Sequence, residues 1–177
     1  MNYSEDRLLI GSDREGQTAR FRHWILLVVP LCAILFQIYI PLFFEFLTFL
    51  ELPLLVTVYF SLMRRSPMGG IAIGALVGLA QDSLSKNPLG MLGIVKTLVG
   101  YFAAAVGLRF DVDHTFVRFA LCFFFFLFHQ FFYWVLARAL LGQELALEVS
   151  RMMLTGVLNA AVGVSLFYFL DKLRARG

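Results

Sequence analysis

Residues 69–100 read GGIAIGALVGLAQDSLSKNPLGMLGIVKTLVG, and the arrangement of the whole chain turns on them. Gly70, Gly74, Gly78 and Asp82 recur at intervals of four, which lines them along one ridge of an α-helix. Glycines at this spacing let a second backbone come close, and in lipid such packing drives helix association. The ridge ends on a carboxylate, which is costly in hydrocarbon and therefore a functional candidate. Ser83, Ser85, Lys86, Asn87 and Pro88 then stop the helix and turn the chain. Past the turn, Gly93, Gly100 and Gly107 recur at intervals of seven, with Lys96 between the first two. The reading is a membrane hairpin. Two small-residue faces, each with one charge of opposite sign, pack on each other and organise the rest.

Composition supports a membrane setting. Of 177 residues, 60% are hydrophobic and 15% charged, with a mean hydropathy of +0.80. A soluble domain is about half apolar and about a quarter charged. The apolar residues come in long blocks, which predict helices rather than the alternating strands of a barrel. At about 20 residues per span there is room for five or six spans and no separate soluble domain. Cys32 and Cys122 both sit in apolar blocks, where a thiol behaves as a small hydrophobe, so no disulfide framework is expected. The first 22 residues are polar and offer no apolar core for a cleavable leader. They read as a cytoplasmic tail, with the first span as an uncleaved signal anchor.

Taken in order, the predicted spans are 24–40, 52–65, 68–84, 89–108, 116–141 and 149–170, forming one transmembrane domain over 23–171. Residues 1–22 and 172–177 are the tails. Trp24 is an interfacial anchor, and Pro30 lies inside the first span. In segment 41–51 the polar residues Glu45, Thr48 and Glu51 fall three apart, the pattern of a helix lying in the interface with its polar edge toward water. The fifth span contains FFFFLFHQFFYW, a helix with much of its surface in lipid and with His129 and Gln130 turned toward neighbours. With a cytoplasmic N-terminus, six spans put 11 of the 15 Lys and Arg residues on the inner side. The positive-inside rule therefore predicts both termini inside and the Asp82 turn outside.

The charged pair admits two arrangements. Asp82 and Lys96, near the outer ends of adjacent antiparallel helices, either form an ion pair that sets hairpin register, or Asp82 accepts backbone N–H groups of the turn while Lys96 reaches the headgroups. A structural role outweighs a proton or solute relay, which needs more ionisable partners than these spans supply. Asp111, Asp113 and His114 lack further ligands nearby and read as a solvated turn. His129, beside Gln130, has no cysteine, histidine or carboxylate at ligand spacing, and a hydrogen bond between helices is expected of it. Gly156, Asn159 and Gly163 mark another close crossing, with Asn159 bonding across it. There is no nucleotide loop, nucleophile elbow or zinc motif. No catalytic residue, cofactor site or metal site is expected, and no nucleic-acid partner.

At this point GGIAIGALVGLAQDSLSKNPLG resembles the signature of the bacterial rod shape-determining MreD family: a glycine-spaced helix ending in Asp82, then Leu84-Ser85 and, after a short gap, Leu89-Gly90. Thr97, Leu98, Gly100 and Tyr101, the Arg109-Phe110 pair, and an early Gln37 followed by a proline extend the likeness over nearly the whole chain. Lys86 and Asn87 depart from it, since the family often has Gly directly after the Ser. The resemblance implies a non-enzymatic subunit of the cell-elongation machinery in the cytoplasmic membrane. It would sit beside MreC and help link MreB filaments to the glycosyltransferase RodA and a class B transpeptidase. It also implies a six-helix fold similar to the substrate-binding subunits of energy-coupling-factor transporters. The rival reading is therefore a vitamin-type transporter subunit, with Gln37, Lys96, His129, Gln130 and Asn159 as its deep polar candidates. On the first reading the hairpin is a rigid core with Asp82 and Arg109 holding its ends, and segments 41–52 and 82–90 meet MreC.

Overall fold

The computed structural model describes residues 24–39, 45–85, 88–143, 146 and 148–173. Among them are six α-helices and one 3-10 helix, and no strand. They are α1 (Ile25–Tyr39), α2 (Leu52–Arg64), α3 (Pro67–Leu84), α4 (Met91–Gly107), α5 (Thr115–Leu141) and α6 (Val149–Asp171), with the 3-10 helix at Glu45–Phe49. The predicted N-terminal tail, residues 41–44 of the interfacial segment, Lys86, Asn87 and residues 174–177 lie outside the described residues. Three stretches are long and apolar enough to cross a membrane: Leu47–Arg64, Thr115–Leu141 and Val149–Asp171. Ile25–Tyr39 and Met91–Gly107 are shorter apolar helices.

The hairpin of α3 and α4 forms for the reason its spacing suggests. Ser66 caps α3 by accepting the Gly69 N–H at 3.3 Å, and Pro67 opens the helix where its missing N–H costs nothing. The two helices run antiparallel with their backbones touching. A Cβ on Gly70 would lie 2.2 Å from the Gly100 carbonyl oxygen, on Gly74 2.0 Å from that of Lys96, and on Gly78 2.4 Å from that of Leu92. Gly100 answers across the same crossing, where a Cβ would meet the Gly70 oxygen at 2.1 Å. Gly93 also faces α3, meeting the Leu79 side chain. Gly107 does not share that face, because its close neighbour is the Leu62 carbonyl of α2. The seven-residue interval thus serves two partners.

The most enclosed helix is α2, which packs against each of the other five. Every residue from Pro53 to Met63 is buried. Its few polar side chains go inside with it: Thr57 bonds back to Pro53 O at 2.8 Å and Tyr59 reaches Asp171. It has 13 residues, about 20 Å at 1.5 Å per residue, so it starts partway into the bundle. It ends on Arg65, whose left-handed φ of 50° and N–H bond to Ser61 O close the turn into α3.

The outer faces are apolar and exposed: Leu27, Leu31 and Leu35 on α1, Phe116, Phe124 and Phe131 on α5, and Leu154 and Phe169 on α6. In water so large an apolar surface marks an interface; around a helical bundle it is the surface that lipid covers. Toward the core α5 turns a stripe of Arg118, Cys122, Phe125, Phe126, His129 and Ala137.

Candidate functional site

Polar groups gather at both ends of the bundle. At the end where α3 passes into α4, Asp82 is 1% exposed and its carboxylate accepts three backbone N–H groups. Oδ2 takes those of Gly90 at 2.9 Å and Gly93 at 3.0 Å, and Oδ1 takes that of Leu92 at 3.2 Å. The first turn of any helix leaves such donors unpaired, and the residue at the N-cap of α4 is Gly90, which has no side chain to offer. Gly90 adopts φ 95°, a conformation glycine enters freely, and this lets the chain enter α4 beneath the carboxylate. The positive end of the α4 dipole adds to the attraction. Asp82 is therefore a cap supplied by the preceding helix.

Of the two arrangements considered, the ion pair of Asp82 with Lys96 does not form. Lys96 donates instead to the Gln81 side-chain oxygen. Nor does Lys96 reach headgroups, since it is completely buried. Among the described residues the ion pairs are Arg118 with Asp113 and Asp171, and Arg151 with Glu148. Lys96 stays within electrostatic range of Glu51 and Asp82, and His129 lies within range of Lys96. The interhelical hydrogen bond expected of His129 does not form: the ring is 2% exposed, and neither nitrogen has a hydrogen-bond partner because α5 turns it onto the apolar core.

A second knot holds the start of α2. Asn159 of α6 accepts the Glu51 N–H at 2.8 Å and donates to Phe49 O at 2.7 Å and Thr155 O at 2.9 Å. Gln37 of α1 accepts the Leu52 N–H at 3.2 Å. Two other helices thus cap α2, and Asn159 bonds the segment that leads into it, while Gly156 and Gly163 beside it pack against Phe123 and Cys122 of α5. Replacing Asn159 with Ala strands the Glu51 N–H and Phe49 C=O, with an expected loss of about 2 kcal/mol in thermal or denaturant unfolding. Ser165→Ala, which removes only a 3.4 Å bond within α6 on an exposed face, is expected to change stability little.

Glu51 departs from its expected place on a water-facing edge. Its Oε2 is buried and accepts no hydrogen bond, and its side chain does not cap α2. It lines a cavity of about 560 Å³ together with Thr48, Phe126, Gln130, Tyr133 and Arg151.

At the opposite end Arg118 is the fastener. It donates to Asp171 at 2.6 Å and to Val112 O at 2.8 Å, and lies 3.4 Å from Asp113. Tyr59 of α2 donates to the second Asp171 oxygen at 2.8 Å. Helices α2, α5 and α6 are so joined through one carboxylate. Arg109, expected to hold this end, is exposed and contributes its backbone N–H to Val106 O at 2.9 Å. Ser85 ends α3 through its N–H to Gln81 O at 2.9 Å. Pro88 and Leu89 are exposed at the tip of the turn, and Tyr101 is exposed on the side of α4 beside Phe102. Glu51, Gln81, Tyr59, Arg118 and Asp171 are the residues that sequence reasoning did not single out as functional. An arginine and an aspartate at the ends of two apolar blocks were the available signal for the last two; Tyr59, in the middle of its block, gave none.

Among the described residues no group of three His, Cys, Asp or Glu is placed to hold a metal ion. The fold and its interior define a helical membrane protein whose buried polar groups mostly tie helix to helix. The chain belongs to the family of rod shape-determining protein MreD, which it matches over residues 18–175. Neither the curated proteins nor the solved structures contain a match to it. The family is one of membrane proteins that determine rod shape.

Proposed function

We propose that this chain is a non-enzymatic scaffold of the bacterial rod complex, binding MreC and helping to couple MreB filaments to RodA and a class B transpeptidase. The observation that carries the reading is the family match over residues 18–175. The anatomy is in keeping with it. Almost all the described residues belong to a bundle of apolar helices, so partners are met through helix sides, short turns and tails. Six spans in the inner membrane with both termini in the cytoplasm fit the charges. Arg64, Arg65, Arg109 and Lys172 lie at the end opposite the Asp82 turn.

A six-helix arrangement like that of energy-coupling-factor subunits is part of this proposal as a fold, without their transport role. Of the polar residues a transporter would need, Gln37, Lys96 and Asn159 are bonded to the protein itself, and Gln130 lines the cavity. The tip of the turn is the proposed contact for the periplasmic part of MreC, since Leu89 is 78% exposed beyond a rigid support. Co-expression with MreC and purification in mild detergent tests the reading. MreC is expected to co-purify with the wild type, and Leu89→Arg to reduce the yield of complex several-fold without changing the level of the scaffold. Absence of MreC from the wild-type preparation, with cell shape unaltered on depletion, would contradict it.

A further inference from the structure

Among the described residues, Glu51 is the one acid in the bundle interior that the helix connections leave unused. Gln37 and Asn159 occupy the capping positions at the start of α2, and the Glu51 carboxylate points elsewhere. Its buried Oε2 has no donor. Lys96, the nearby buried cation, donates its hydrogen bond to the Gln81 side-chain oxygen and forms no ion pair with Glu51. Buried polar atoms are almost always satisfied, and of the unpaired buried atoms among the described residues Oε2 is the one that belongs to a residue lining a cavity, where a donor from outside the chain can reach it.

The surroundings say which kind of donor. The cavity in front of Glu51 measures about 560 Å³, within the range of small-ligand sites. Phe126, Tyr133 and Trp134 from α5 and Phe49 from the 3-10 segment form its walls. Aromatic faces beside a carboxylate attract an organic ammonium ion through ring quadrupole and charge together. Two of these rings already hold cations: Arg138 lies 5.6 Å from the Trp134 centroid and Arg151 5.2 Å from that of Phe49. Glu148 and Arg151, with side chains 63% and 62% exposed, line the same cavity, so it reaches the surface. The Arg151 guanidinium has donors to spare there, its contact with Glu148 being 3.6 Å long.

We propose that this cavity binds an alkylammonium joined to a phosphate, with Glu51 as the counter-ion, the aromatic rings as walls and Arg151 on the phosphate. Two sources carry that chemistry: the head of an ethanolamine phospholipid entering from the outer leaflet, and free phosphoethanolamine. No step of chemistry is involved. The site would make the scaffold responsive to its lipid or solute surroundings at the end where the Asp82 turn lies.

The chain has two tryptophans, so Trp24→Phe leaves Trp134 in the cavity wall as the sole reporter. The full-length Trp24→Phe protein in mild detergent is titrated with lysophosphatidylethanolamine, with phosphoethanolamine, and with lysophosphatidylglycerol, which lacks the ammonium. A saturable change in Trp134 emission is expected with the first probe. A response to the second as well assigns the binding to the headgroup alone; a response to the first only assigns it to the lipid. Glu51→Gln, losing a charged hydrogen bond, is expected to weaken binding roughly tenfold or more. Should that variant not accumulate, Thr155→Phe fills the cavity from α6 with Glu51 intact and is expected to abolish the response. No saturable response to either ammonium probe, or an equal response to lysophosphatidylglycerol, would overturn the proposal.

Discussion

Replacing Gly74 with alanine is expected to cost at least about 3 kcal/mol, and replacing it with leucine to prevent the protein from accumulating in the membrane. The added Cβ would sit 2.0 Å from the Lys96 carbonyl oxygen, 2.6 Å from its carbon and 2.9 Å from Thr97 Cα. All three are backbone atoms of α4, so no side chain can swing aside. The helices must separate, and the crossings at Gly70 and Gly78 lie on the same ridge and would open with them. Gly69, one residue before the ridge, provides the control. A Cβ there meets its nearest atoms, in Ser66, at 3.4 Å, an ordinary contact. Gly69→Ala is therefore expected to be neutral or slightly stabilising, as glycine is the poorer helix former. Thermal unfolding in mild detergent of the two alanine variants side by side separates close packing from general intolerance of the segment.

Asp82 gives the second large effect. Asp82→Ala leaves the N–H groups of Gly90, Leu92 and Gly93 without their acceptor, and the last two are buried. Each stranded donor costs about 1–3 kcal/mol, so a loss of about 3–5 kcal/mol is expected for the site as a whole, on the scale of breaking a buried charged contact. Asp82→Asn keeps one acceptor oxygen and is expected to fall between alanine and the wild type. Charge reversal to lysine is expected to be worst. It sets a cation against the positive end of α4 and near the buried Lys96. Membrane levels ordered wild type, Asn, Ala, Lys from highest to lowest would bear this out; equal levels for all four would refute the capping role.

Much of the hairpin is legible in the sequence. Glycines four apart followed by a carboxylate and a Ser-Pro turn specify a crossing and its end almost without context, because only glycine permits backbone contact. The choice between an ion pair and a backbone cap was not legible, since it depends on where the first turn of α4 aims its N–H groups. Gln81 was invisible for a similar reason: a glutamine beside an aspartate gives no sign that it will take the lysine. Helix α2 was harder still. Its weakly polar side, Thr57 and Ser61, is buried as fully as its apolar one, so the pattern pointed to an exposed face that the bundle does not leave. Glu51 was misplaced as a consequence. Polar residues three apart suggest a surface helix, but α2 begins inside the bundle, and Glu51 goes in with it. The Arg118–Asp171 contact joins residues 53 apart in sequence, and no local pattern announces so distant a partner.

The central claim is that α3 and α4 form one rigid unit in backbone contact, fastened by the Asp82 carboxylate. Hydrogen exchange of the full-length protein in mild detergent, comparing the wild type with Asp82→Asn, tests it most directly. The account predicts that amides facing the crossing in 70–82 and 92–104 exchange more slowly than those of α1, and that the substitution speeds Gly90, Leu92 and Gly93 before any other site. Exchange in the hairpin as fast as in α1, or an Asp82→Asn profile unchanged at those three amides, would contradict it.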